Sequence, residues 1–223
     1  MEDVQRQSIP VHFVDSVADL EPEAVFSCDP NFSLQNHYQH NERETPTVNI
    51  YLAFTEKNLY FGGAVNWGCT QTPIYQCGEF VLGLWERDVL ELFIYEESEG
   101  KEQGETVKYQ EFNLSPEGAW WSQAFENVHQ MLKSCQIEST YPVKTCSEIT
   151  QEGWRAALSV PLRSLAVKFD INTVRINANA ILGDGDSKQF LSFTKLPGNN
   201  PNFHQPSAFP KINLINKKWI NLN

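Results

Sequence analysis

The chain has 223 residues, 41% hydrophobic and 20% charged, enough to bury a sizeable core as one large domain or two small ones. Its net charge is −11 and its pI about 4.9, and no basic run is present. Nothing would neutralise phosphates, so nucleic acid and anionic membrane are excluded as main partners, and no segment approaches the ~20 apolar residues of a membrane helix.

Residues 1–20 have neither a basic n-region nor an apolar h-region. They are the best candidate for a loose terminus, with no signal peptide. The expectation is a cytoplasmic protein, or a secreted or periplasmic one if a leader has been trimmed. Segments 48–54 and 59–65 flank Glu56-Lys57-Asn58 and predict a hairpin. Gly62-Gly63 inside the second segment suggests a bulge. DVLELFIY at 88–95 is the strongest strand pattern in the chain. An acidic, Gly-containing turn at 96–106 leads into a strand at 107–114. Ser115-Pro116-Glu117-Gly118 then turns into a strand at 119–125, with 122–133 the only helical rival. Segments 140–149 and 153–160 read as antiparallel partners, and Pro161 starts a single helical turn at 161–165. A long strand at 173–182 turns at Gly183-Asp184-Gly185-Asp186 into 189–194. A Pro/Asn-rich loop at 196–210 precedes a last strand at 211–215. Many short strands with regular turn signals predict an all-β fold. The expected form is an antiparallel two-sheet β-sandwich, of immunoglobulin or jelly-roll type, with a few short helical turns and a single domain over 1–223.

Side chains alternate between sheet faces with period two. Leu90, Leu92 and Ile94 form one apolar face of their strand; Val89, Glu91, Phe93 and Tyr95 form the other. Tyr109, Glu111 and Asn113 oppose Gln110, Phe112 and Leu114. Val174, Ile176, Ala178, Ala180 and Leu182 point inward, leaving Arg175, Asn177 and Asn179 to point outward. Three strands thus each present a polar and aromatic face. Carboxylates, amides and an Arg fork hydrogen-bond hydroxyls, and aromatic rings stack on apolar faces of sugars. The plainer reading is a solvated sheet face in which Arg175 pairs with Glu91 or Glu111.

The five cysteines are odd in number and show no CxxC spacing, which argues against zinc and for a reduced compartment. A Cys69–Cys77 bridge is the alternative for a secreted chain.

Several stretches together resemble family 9 carbohydrate-binding modules and their DOMON-like relatives. Trp85-Glu86-Arg87-Asp88-Val89-Leu90-Glu91-Leu92-Phe93 looks like their W-x-x-D-x-x-E-x-F strand. Tyr109-Gln110-Glu111-Phe112 through Pro116 and Gly118 resembles their Y-x-E-F-x-x-x-P-x-G hairpin. Gly153-Trp154 through Val160-Pro161 to Leu165, Arg175-Ile176-Asn177, and Phe203-His204-Gln205-Pro206 with Phe209 are similar to three further motifs, Pro210 standing where Gly is usual. The resemblance implies a two-sheet sandwich and, beyond that, non-catalytic binding of a saccharide or similar polyol, often with structural calcium. It implies that Glu91, Glu111, Arg175 and Asn177 hold hydroxyls, with Tyr109 and Asn179 on the same face. A pair of stacking rings would come from Trp85, Trp120, Trp121 and Trp67, while Trp154 reads as core. The alternative is a scaffold serving a protein interaction or another ligand.

Other chemistry ranks lower. Glu91 and Glu111 on adjacent strands could serve glycoside hydrolysis, but they would equally serve a salt bridge, so no catalytic residue is assigned. GxSxG, HExxH and GxxxxGK[ST] are absent. Asp184 and Asp186 have the composition of a calcium loop, yet Asp-Gly is first a hairpin turn. His129 and Met131, two residues apart, cannot flank a haem from opposite faces. His204 reads as a satisfied structural histidine. Nothing in the pattern sets an oligomeric state.

Overall fold

Period-two alternation makes every strand two-faced, and two stacked sheets bury one face of each against the other. The structure, a computed structural model, describes residues 8–14, 20–38, 45–69, 74–97, 108–133 and 137–216. Its first strands are β1 (Ile9–Phe13), β2 (Phe32–Ser33), β3 (Gln35–Asn36), β4 (Thr47–Phe54), β5 (Asn58–Asn66), β6 (Val89–Glu96) and β7 (Tyr109–Leu114). They are followed by β8 (Trp120–Asn127), β9 (Gln130–Met131), β10 (Lys144–Ile149), β11 (Trp154–Pro161), β12 (Val174–Leu182), β13 (Gln189–Ser192) and β14 (Ile212–Asn216). The helices among the described residues are short 3-10 turns, one of them at Leu162–Ser164 behind Pro161.

One sheet has the order β10-β11-β5-β4-β1-β14, with β2 also paired to β4. The other has the order β3-β13-β12-β6-β7-β8-β9. The expected two-sheet all-β sandwich is therefore the observed fold. Its interior is the set of apolar faces read from the alternation. Ile50, Leu52, Phe61 and Leu158 from the first sheet meet Leu90, Leu92, Ile94, Phe112, Ile176 and Ala178 from the second, all fully buried. The stretch at 122–133 that rivalled a strand with a helix forms strands β8 and β9.

Three local expectations fail. The loose terminus at 1–20 fails at Ile9–Phe13, which lies parallel between β4 and β14 with Ile9 and Val11 at 0% exposure. Parallel β1 also makes the first sheet mixed rather than purely antiparallel. Gly62 and Gly63 carry no bulge, since the register runs unbroken across both neighbours. They are glycines because the strands approach closely. A Cβ on Gly63 would stand 2.6 Å from Leu90 Cδ1, and one on Gly62 2.8 Å from the Ala156 carbonyl oxygen. A register shift occurs instead between Phe125 and Asn127, where β8 passes into β9. Most of the acidic turn at 96–106 and Cys135 lie outside the described residues. Cys69 and Cys77 are free thiols: Cys69 packs on the main core and Cys77 bonds the Thr145 carbonyl at 3.4 Å.

Candidate functional site

The second face of the β6 sheet is not a solvated one. Glu91, Glu111, Asn177, Asn179 and Arg175 are each at most 5% exposed. Periodicity separates the two faces of a strand but does not say what lies over them. Here loop residues Leu196, Phe203 and Phe209, with Leu84 from a 3-10 turn, pack over the outer face and form a second core with Phe93, Tyr109 and Phe125.

Register sets which groups meet. One row across the sheet runs Asn179, Glu91, Asn113, Trp121. The next runs Asn177, Phe93, Glu111, Gln123, and the third Arg175, Tyr95, Tyr109, Phe125. Glu91 and Glu111 are thus diagonal neighbours, at roughly 7–8 Å by backbone spacing. Arg175 lies four residues along β12 from the Glu91 row, a separation of roughly 13 Å. The predicted pairing of Arg175 with Glu91 or Glu111 is therefore replaced by another. Its guanidinium donates to the Glu97 carboxylate and to the Phe209 carbonyl at 3.1 Å, which ties the chain end of the covering loop to the sheet.

Asn177 is also spent internally, while Asn179 gives its Oδ1 to the same cluster and keeps a buried Nδ2 without a partner. Asn177 Nδ2 donates to Asn179 Oδ1 at 2.8 Å and to Ser192 Oγ at 3.0 Å. Ser192 Oγ donates to Asn179 Oδ1 at 2.7 Å, and Asn177 Oδ1 accepts from the Thr194 amide. Trp120, expected as a stacking ring, points into the interior at 1% exposure and donates to the Gly78 carbonyl. Tyr109 is fully buried, its hydroxyl accepting the His129 amide at 3.2 Å and lying 2.8 Å from His204 Nδ1. It positions the histidine rather than facing a ligand. Trp67 packs against the main core, and Trp154 belongs to it as read.

The remaining candidates converge. A cleft of about 540 Å³ is lined by Trp85, Glu91, Glu111 and Trp121 from the predicted set. Phe93, Phe125, Phe190 and Phe203 add aromatic wall, and His129, Met131, Asn202 and His204 line it too. Trp85, 36% exposed, and Trp121 meet edge to face with centroids 5.0 Å apart at 63°. Rings in contact leave no slot between them, so they form a corner rather than a two-sided clamp. Phe93 was read on this face, whereas Phe190 reaches it through pairing of β13 to β12 and Phe203 from a loop, contacts that no local pattern contains. Sequence reading took His204 as structural. The structure gives it that role through Tyr109 and also sets its Nε2 3.7 Å from Glu111 Oε2. The Phe203-His204 motif was the available signal.

The electrostatics follow from burial. Loss of solvent, then the neighbouring Glu111 charge, pushes the Glu91 carboxyl well above its ordinary range, with Lys188 pulling the other way. Burial pushes Glu111 up to about 7, opposed by Asn113. Burial, then His129, lowers His204 to about 4, leaving it neutral at pH 7. Glu91 Oε2 is buried without a hydrogen-bond partner.

Calcium does not fit the turn at 183–187. Asp184 accepts from the Ser187 hydroxyl and caps the turn, and the Gly183 amide is held by Asp88 at 2.6 Å. Among the described residues no three acidic, His or Cys side chains converge, Asp184 and Asp186 included.

Fold and cleft define a two-sheet β-sandwich with an aromatic, acid-floored cleft on the outer face of one sheet. Among solved structures it is similar to a candidate carbohydrate-binding protein from Bacteroides uniformis, at a TM-score of 0.72 and 19% identity over 94% of this chain and 99% of that one. It is also similar to a family 9 carbohydrate-binding module from Caldicellulosiruptor kristjanssonii solved with cellotriose, at 0.59 and 12% identity over 96% and 99% of the two chains. The same kind of module solved with glucose gives 0.57 and 12%, over 96% and 100%. At these identities the likeness establishes the fold. No family model and no curated protein matches the sequence.

Proposed function

We propose that the cleft binds a saccharide without catalysing its cleavage, as a binding module of the family 9 type. The observation that carries this is the convergence of the partly exposed Trp85, packed on buried Trp121, with the buried acceptor Glu91 Oε2 on one cleft. An apolar sugar face stacks on the rings while a hydroxyl supplies the donor the carboxyl lacks. The cellotriose and glucose complexes of the similar modules support the ligand class. Both acids sit on the cleft floor with raised proton affinity, so each can donate as well as accept a hydrogen bond to a ligand hydroxyl.

The test is titration calorimetry with gluco-oligosaccharides. Wild type binds saturably, and Trp85→Ala weakens binding by about tenfold, as expected for losing ~1–2 kcal/mol of stacking and buried area. The variant's melting temperature stays within a degree or two, because Trp85 is partly exposed. Release of reducing ends from the oligosaccharide would show an enzyme instead.

A further inference from the structure

Glu91 and Glu111 bring two carboxyl groups to the floor of one cleft, and among the described residues neither is ion-paired to lysine or arginine. The basic groups facing them can be followed one by one. Arg175 is committed to Glu97 and Phe209. Lys188 acts on Glu91 through space, but its ammonium donates to the Trp85 carbonyl at 3.4 Å. His204 has Nδ1 on the Tyr109 hydroxyl, and His129 packs on its ring at 4.3 Å between centroids.

Glu91 is 3% exposed, lines the cleft, and has one carboxyl oxygen with no donor. A buried acceptor left unmade costs free energy that a ligand donor recovers. The walls around it are aromatic side chains: Trp85, Phe93, Trp121, Phe125, Phe190 and Phe203. Paired acids without a fixed counter-charge, framed by aromatic rings, complement an ammonium group. Such a group makes charge-assisted N–H···O bonds and cation–π contacts at once. A neutral hydroxyl meets only the first need. The chain's net charge of −11 favours approach of a cation as well.

We propose that the ligand of this cleft carries a primary ammonium, as a sugar with a free amine does, seated between Glu91 and Glu111 against the Trp85–Trp121 corner. This rests on the saccharide reading above and narrows it. When the ammonium docks, a carboxyl proton of the pair passes to buffer and the carboxylate remains as counter-ion.

Three trisaccharides that differ only at the second carbon separate the possibilities: cellotriose, the β-1,4-linked glucosamine trimer and its N-acetylated form. Calorimetry at about pH 6, with the amine mostly charged and the acids mostly protonated, is run in buffers of different ionisation enthalpy. The glucosamine trimer binds at least about tenfold tighter than either neutral trimer, with net proton release. Glu91→Gln and Glu111→Gln, checked for unchanged circular dichroism, remove the release and bring the preference close to unity. Equal or tighter binding of cellotriose by wild type, without proton release, overturns the ammonium and leaves the saccharide reading standing. Absence of binding by all three overturns both.

Discussion

Arg175 shows how one residue can be placed correctly and assigned wrongly. Its outward direction on β12 was legible from alternation, but its partner was not. The choice depended on Glu97, just past the end of β6, and on a carbonyl from the loop before β14. Its work is to anchor that loop. Arg175→Ala leaves the Phe209 carbonyl without its donor and Glu97 without its ion pair. It is expected to destabilise the fold by about 2–3 kcal/mol, discounted because Glu97 is half-exposed. Denaturant unfolding measures the loss, and sugar affinity at saturating folded protein stays within about twofold. A selective loss of affinity with unchanged stability would restore Arg175 to the binding face. Glu91 and Glu111 were legible in both type and face, and Trp85 and Trp121 in type alone. The ring pair among four tryptophans was not, because spacing does not reveal that Trp120 turns into the interior while Trp121 turns to the cleft.

Among elements, β1 is the clearest departure. Its sequence, IPVHF, is short, contains Pro10 and sits near the start of the chain, so local signals are weak. Tertiary pairing overrides them. β1 inserts parallel between β4 and β14, a contact spanning some two hundred residues of sequence that no window of local pattern contains. Ile9→Ala removes a fully buried side chain and is expected to cost about 2–4 kcal/mol in equilibrium unfolding. A free terminus would show no change. The hairpins behaved differently. β4–β5 and β7–β8 are joined by short polar turns, and turn chemistry with alternation specifies their register locally. Gly62-Gly63 was legible as unusual, but the cause lies across the sandwich at Leu90 and across the sheet at Ala156.

At the scale of the molecule, burying two acids and a histidine under one loop couples stability to pH. A carboxyl whose folded-state pKa is raised holds a proton that the unfolded chain has released, so stability falls as pH rises through that range. For Glu111 the range runs from 4.5 to about 7, and the raised Glu91 carboxyl acts in the same direction. His204, lowered from 6.5 to about 4, acts oppositely, and only below about 6.5. The melting temperature is therefore expected to fall as pH rises between about 6.5 and 7, and less steeply in Glu91→Gln. A fall of equal slope in both proteins would place the titration elsewhere. Composition, turn signals and period-two alternation determined the fold class, the strands β4 to β8 and β10 to β14, and the inner core. These depend on neighbours along the chain and on the geometry of a single strand. The covering of the outer face, the cleft it encloses, the loss of Arg175 and Asn177 to internal bonds, and the meeting of Trp85 with Trp121 were decided only in three dimensions. Each joins segments whose relative placement comes from the closing of two sheets and the path of a loop, and no residue's own pattern carries that information.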